Sequence, residues 1–425
     1  MVSTFVYKLR LALGDREIRV RLLFLVGALA LFRLLASIPV PGVDRSALAA
    51  FFAENPFFGL LNIFSGGGLS SLSIVMLGVG PYITASIIMQ LATIIFPQVK
   101  AAYSEEGESG RAKFIQWSRF LTIPIAVLQG VGFLLLLEGQ GVIAHLSAVS
   151  LIANIALVAA GSMLLMWIGE LITEFGIGNG VSLIILTGIM ASVPSALSQT
   201  IFASSAADIP AYLAFAALAA AMTYAVVVVS DAERSIPIAY ARAVRGAALS
   251  SQGAATYLPI RLLQAGVIPI IFALSLLLLP QMVLSMLASL KIGILQSASV
   301  WYAAFLANPW EYGAAYFVFV VLFTYFYTAV TFEPHRVADN LQKSGAFVPG
   351  VRPGPETESY IGAVVNRITL PGAVFLGLIA VSPSVIQGLT GITTMVLGGT
   401  ALLIAVQVSL DLAQKLDAQI SLREY

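Results

Sequence analysis

The sequence predicts an all-α integral membrane protein of ten transmembrane helices. Three observations carry that prediction: composition, the spacing of apolar runs, and the one-sided placement of basic residues. Of 425 residues, 59% are apolar and only 10% are Asp, Glu, Lys or Arg, against about 25% charged in a typical soluble chain. So few polar groups do not coat a water-soluble globule of this size. A net charge of +1, from 22 basic and 21 acidic residues, argues against a generally basic nucleic-acid binder. Cysteine is absent, which removes disulfides, thiolate metal sites and a thiol nucleophile. Met1 to Arg21 has no short apolar core followed by a small-residue cleavage site, so no removable signal peptide is expected.

A helix crossing the hydrocarbon core needs about 20 apolar residues. In chain order such runs are Ile18 to Ile38, Ile74 to Phe96, Phe120 to Leu137, Val149 to Ile168 and Val181 to Ile201. Then come Tyr212 to Val229, Leu262 to Leu279, Ala314 to Phe332, Ile368 to Leu389 and Met395 to Leu410. Lys and Arg in short loops orient such spans, because they stay in the cytoplasm. Lys8, Arg10, Arg16, Arg19 and Arg21 precede the first span. Alternate loops carry Lys100, Arg111, Lys113 and Arg119; Arg234, Arg242, Arg245 and Arg261; and Arg336, Lys343, Arg352 and Arg367. Lys415 and Arg423 follow the last span. Thus 19 of the 22 basic residues fall on one side; the other holds Arg45 and Lys291, and Arg33 lies within the first span. Both termini are expected in the cytoplasm.

This parity depends on Phe57 to Ser73, which is apolar but short and carries Gly66, Gly67 and Gly68. If it crossed, every later loop would change sides and the charge bias would invert. It must enter and return, since irregular backbone at membrane depth survives only where protein or water satisfies it. Two readings stay open from composition: a loop packed at the outer interface, or a gate within a pore. The long loops, Pro97 to Arg119, Asp231 to Arg261 and Glu333 to Arg367, are cytoplasmic. None is large enough for a soluble domain with its own core. Topology determination alone accounts for their basic residues.

The spans nearly lack ionisable groups. Arg33 sits near the outer end of the first, and Glu170 lies at a cytoplasmic end within reach of headgroups. Ion-coupled transporters place Asp, Glu or His near the midplane, and that constellation is missing. His145 and His335 lie in or beside loops, without the spacing of a zinc site. No HExxH, Walker or GxSxG sequence occurs, so no enzyme activity, metal or cofactor is expected. Gly176 to Gly180 superficially suggests a phosphate-binding loop, but no strand precedes it, which favours a tight turn. Pro81, Pro124, Pro269 and Pro371 kink helices; glycines such as Gly78, Gly80, Gly266, Gly372 and Gly377 let helices approach closely.

Several motifs carry a family resemblance. Phe64-Ser65-Gly66-Gly67, followed by the run from Leu77-Gly78-Val79-Gly80-Pro81-Tyr82 to Gln90, resembles the plug and second span of the SecY family of protein-conducting channels. Thr173 to Gly180, Ala265 to Pro269, Phe323 to Ala329 and Gly345 to Gly354 resemble it further, in the same order, so the resemblance covers essentially the whole chain. It implies a clamshell of two inversely related halves, residues 1–201 with spans one to five and residues 202–425 with spans six to ten. The pore between them would be narrowed by a ring formed by Val79, Ile83, Ile189, Ile271 and Ile404. The short segment near residues 57–73 would be a re-entrant plug helix, with Phe64, Ser65, Gly66, Gly67, Gly68 and Leu69 at its centre. Spans two, three, seven and eight would form a lateral gate releasing hydrophobic segments into lipid. Thr84 and Gln129 would be polar gate residues. The family usually has Asn two residues before the Ala-Gly pair of span seven; here that position is Leu263, with Gln264 beside it as a substitute.

The resemblance also implies partners: SecE and SecG subunits, the SecA motor ATPase, the ribosome through its rRNA, polypeptides bearing signal sequences, and membrane lipid. The loops 231–261 and 333–367 would dock SecA or the ribosome through Arg234, Arg242, Arg245, Arg336, Lys343 and above all Arg352. The location would be the bacterial cytoplasmic (inner) membrane. A passive gated channel for unfolded polypeptide is the leading expectation. A small-solute secondary transporter is the alternative, weakened by the empty midplane. An intramembrane hydrolase fails for want of a paired nucleophile and base.

Overall fold

A computed structural model describes residues 14–41, 48, 62, 65–69, 71–99, 107–139, 141–143, 147–203, 209–240, 256–264, 266, 268–288, 293–390 and 394–421. The fold is helical, and every predicted span contains a helix over most of its length. These are α1 (Arg16–Ala36), α2 (Gly80–Ile95), α3 (Gly107–Gly139), α4 (Ala148–Phe175), α5 (Gly180–Ala203), α6 (Ile209–Asp231), α7 (Ile268–Ala288), α9 (Pro309–Thr331), α11 (Pro355–Thr390) and α12 (Thr394–Ser421). Among the described residues, four stretches are long and apolar enough by themselves to cross a membrane: Ala112–Gly139, Ala148–Phe175, Pro309–Lys343 and Pro355–Val385. Two further helices, α8 (Gly293–Ala307) and α10 (Pro334–Lys343), lie in connections read as loops from sequence.

Local chemistry sets the boundaries. Asp15 caps α1, its carboxylate accepting from the amides of Glu17 at 2.7 Å and Ile18 at 3.3 Å, which satisfies donors the first turn leaves free. Asn308 caps α9 by accepting from the Trp310 amide at 3.2 Å, with Pro309 in the first turn. The second span departs most from expectation. Residues 71–79 are mainly turns, and helix begins only at Gly80, with Pro81 in the first turn. Gly78 has φ +59° and Leu72 φ +40°, values incompatible with a continuous right-handed helix. The irregular backbone is satisfied internally. The Val40 amide donates to the Leu72 carbonyl at 2.7 Å, Ile74 to Ile38 at 3.0 Å and Gly78 to Val75 at 2.8 Å.

The dominant apolar core runs through α1, α2, α4, α5, α7, α9, α11 and α12. α7 packs on α2, α3 and α9, and α12 packs on α5, α6 and α11. A second element was hidden in the sequence. The two long basic loops fold together into a platform built on strands β1 (Glu233–Tyr240), β2 (Thr256–Arg261) and β3 (Ala346–Phe347), in the order β2-β1-β3, with both pairings antiparallel. Ile236 and Ile260 of the hairpin meet Val348, Ile361 and Val365 in a small core of their own. This corrects the expectation that these loops hold no core. Neither does so alone, but the pair does, together with the start of α11, which begins at Pro355 rather than near Ile368.

Candidate functional site

The five aliphatic residues assigned to the ring come from four helices and the residue capping one of them, and all belong to one contiguous buried cluster. Val79 is 0% exposed at the N-cap of α2, Ile83 lies one turn on, and Ile189, Ile271 and Ile404 are 2%, 6% and 1% exposed on α5, α7 and α12. No water-facing polar atom belongs to any of these side chains. Side chains of this composition do not hydrate favourably, the property by which a hydrophobic constriction blocks ions.

Beside the ring lies the described part of the glycine-rich segment. Ser65 to Leu69 form turns rather than a helix, and Phe64 lies outside the described residues. Ser65 Oγ donates to the Asn62 carbonyl at 3.0 Å and accepts from the Leu69 amide at 2.9 Å, folding the segment on itself. Gly66 (φ +68°) lies against α5: a Cβ added to Gly188 would fall 2.0 Å from the Gly66 Cα. Gly188 immediately precedes Ile189, so the segment touches the backbone beside one of the residues assigned to the ring. On its other side a Cβ on Gly66 would fall 2.2 Å from the ring of Phe32. Arg33 Nη1 donates to the Gly66 carbonyl at 2.9 Å. From sequence Arg33 reads only as a charge near the outer end of the first span; the glycines that offer it a carbonyl are the signal of its role.

The gate residues are only partly gathered. A cavity of about 50 Å³ opens between α2, α3 and α7, and its lining includes Thr84, Gln129, the ring residue Ile83, the plug residue Leu69 and Ser275. Thr84 Oγ1 donates to the Gly80 carbonyl at 3.0 Å. Gln264 lies in the turn before α7 and does not line this cavity. Leu263 is buried, its side chain against Gly372 of α11. On α7 the polar position in the cavity is Ser275, a lone hydroxyl in an otherwise apolar run that sequence reasoning passed over.

The basic residues assigned to docking sit on the platform. Arg234 on β1 and Lys343 at the end of α10 are exposed. Arg336 pairs with Glu333. Arg352 is 88% exposed and no closer than 4.0 Å to Glu356. It stands on a turn shaped by Gly350 (φ +85°) and Gly354 (φ +100°) and held by Thr357 Oγ1 donating to its carbonyl at 2.8 Å. Arg242 and Arg245 lie outside the described residues. His335 Nδ1 lies 2.9 Å from Glu358 Oε2, and this contact, followed by the Asp339 charge, raises the imidazole above its ordinary value. Deeper, Arg119 Nε donates to Glu170 Oε1 at 2.9 Å between α3 and α4, so Glu170 meets a protein partner where headgroups were expected.

A buried aliphatic cluster, a folded glycine segment against it and irregular backbone satisfied within the protein define a polytopic helical fold. The SecY family model matches residues 73–413. A Mycobacterium bovis protein named protein translocase subunit SecY is 37% identical across 100% of this chain and 99% of its own. A solved SecY structure, described as having a plug domain that stabilises the closed state of the translocation channel and maintains a membrane seal, superposes with TM-score 0.68. It is 20% identical and covers 97% of this chain and 94% of that one. Sec61 in a canine ribosome–channel complex superposes with TM-score 0.65 at 19% identity, covering the same shares. The chain belongs to the SecY family.

Proposed function

We propose that this chain is the pore-forming subunit of a protein translocase. It passes unfolded polypeptide through the Val79, Ile83, Ile189, Ile271 and Ile404 constriction and releases hydrophobic segments sideways between α2, α3, α7 and α9. The observation that carries this is the meeting of the folded glycine segment with the α5 backbone next to Ile189, which makes one closed seal of two separate sequence features. An aliphatic ring suits the task. It offers a moving chain no hydrogen bonds or charges to be held by, and closes around side chains of any sequence. Lateral release is a sorting by transfer free energy: leucine-rich segments favour hydrocarbon, whereas each Asp, Lys or Arg at a helix centre costs about 2.5–3.5 kcal/mol.

In this reading residues 1–201 and 202–425 are the two halves of a clamshell, and the sealing segment leaves when a chain enters. The basic platform faces the cytoplasm and receives a motor ATPase or the ribosome, with Arg352, 88% exposed, among its cations. Arg side chains there gain phosphate contacts on rRNA without reading sequence. The membrane is the bacterial inner membrane, both termini are cytoplasmic, small SecE-type and SecG-type subunits complete the assembly, and the chain itself performs no catalysis. The test is reconstitution in proteoliposomes with those subunits, the motor ATPase, ATP and a precursor bearing a signal sequence. Protease-protected precursor is the expected result; uptake of a small solute with no precursor protected overturns the proposal.

A further inference from the structure

We propose that Gln407 and Gln414 of α12 are positioning residues that lock the β1–β2 hairpin to the ring-bearing helix, so that a partner pressing on the hairpin moves Ile404. The inference rests on the channel reading, in which the hairpin belongs to the receiving platform.

The root of the hairpin is closed where the Leu262 amide donates to the Ala232 carbonyl at 2.9 Å. Three side-chain hydrogen bonds tie this root to α12. Ser230 Oγ donates to Gln407 Oε1 at 3.0 Å. Arg261 Nη1 donates to Gln414 Oε1 at 2.9 Å, and Gln414 Nε2 donates to Asp231 Oδ1 at 2.9 Å. One glutamine therefore grips both legs of the hairpin, the end of α6 and the end of β2. Gln407 lies three residues after Ile404 and so on the same side of α12.

The Ser230–Gln407 pair is buried at 7% and 8% exposure, and it sits among residues such as Val226 and Val408 of the main core. Apolar packing alone lets helices slide. A directional bond in a dry setting does not, because parting the partners leaves both unsatisfied. The other leg is fixed too: a Cβ on Gly372 of α11 would fall 2.7 Å from the Leu262 carbonyl oxygen. The chain then continues directly into α7, which carries Ile271. The hairpin root is thus joined covalently to one ring helix and by hydrogen bonds to another, with α11 as backing. Gln407 is also a polar residue within an apolar span that the pore itself leaves without a role.

The chain has no native cysteine, so Ser235→Cys and Ala418→Cys accept spin labels at those two exposed positions only. In proteoliposomes of the full assembly, three backgrounds are compared: the parent, Ser230→Thr, which keeps the hydroxyl, and Ser230→Val with Gln414→Leu. The labels are expected to give one narrow distance in the first two and a distribution at least about twofold broader in the third. The maximal rate of precursor protection falls roughly fivefold or more in the third, the low end of coupling between linked sites. Its half-saturating concentration of motor ATPase stays unchanged, and Ser230→Thr keeps the parent rate. A narrow distance that persists in the third background overturns the inference. So does a loss shared by Ser230→Thr, or a rise in half-saturation at constant maximal rate. Should the double variant fail to insert, Gln414→Leu alone carries the same expectations. If the parent protects no precursor, the channel reading fails, while the label distances still decide whether root and helix move as one.

Discussion

Gly188 and Gly66 set the contact between α5 and the glycine-rich segment. The two backbones meet where neither residue has a side chain, and Gly66 also holds a φ of +68°, which most residues adopt only under strain. Gly188→Ala places a Cβ 2.0 Å from the Gly66 Cα, an overpacking of about 1–3 kcal/mol, and the segment yields more readily than α5. Reconstituted Gly188→Ala channels should therefore conduct ions at rest where the parent is tight, as read by planar-bilayer conductance. Arg33→Leu removes the bond to the Gly66 carbonyl. Bonds to charged groups contribute about 1.5–3 kcal/mol, less here because Arg33 is exposed, so its leak should be the smaller. Ile404→Asn tests the ring itself: a polar side chain at a 1% exposed position wets the constriction and should raise resting conductance without affecting insertion of the protein.

At the level of elements, α10 and the start of α11 are joined by His335 and Glu358. The contact raises the imidazole pKa above its ordinary value of about 6.5. A raised value means the folded form holds its proton more tightly than the unfolded one. The stabilisation is complete below pH about 6.5 and is lost as pH rises through the raised value. Amide protection across Pro334–Lys343, measured relative to the intrinsic base-catalysed exchange of each amide, should therefore fall on going from pH 6 to pH 8, and His335→Ala should flatten that fall. The same region shows what the sequence concealed. The apolar runs marked helices at every predicted span because a period of 3.6 and about 20 apolar residues are local signals. The β1–β2–β3 platform is not local. Ala239 pairs with Phe347 across more than a span of intervening chain, and Ile236 finds Ile361 only after two loops converge. Gln407 and Arg33 were visible as polar exceptions, but their partners, Ser230 of α6 and the Gly66 carbonyl, lie far away in sequence, which periodicity does not report. The ring was nameable only through the family motifs, since a buried Ile in a span is otherwise indistinguishable from ordinary packing.

For the whole molecule, function depends on the separation of two chemistries along one axis. The platform presents Arg352 at 88% exposure, while the helices behind it share an apolar core that holds the five residues assigned to the ring. In the proposed channel the charge pattern would orient the chain and serve its partners, while the apolar middle would leave cargo unheld. Arg352→Glu should accordingly weaken motor-dependent translocation by roughly an order of magnitude or more, as loss of an anchoring charge at an interface does, while leaving resting conductance unchanged.

The central claim is that polypeptide passes through the ring, and cross-linking from the ring tests it most directly. With no native cysteine in the chain, Ile189→Cys provides a single thiol at the constriction. A precursor stalled in transit by a folded domain at its C-terminus carries a photoreactive probe at successive positions. An adduct with Ile189→Cys is expected for a short window of positions that shifts in step with the stall point, and none with a cysteine at Val318 of α9, which is 58% exposed. Efficient translocation with no adduct at Ile189 for any probe position, or equal adducts at both cysteines, would contradict it.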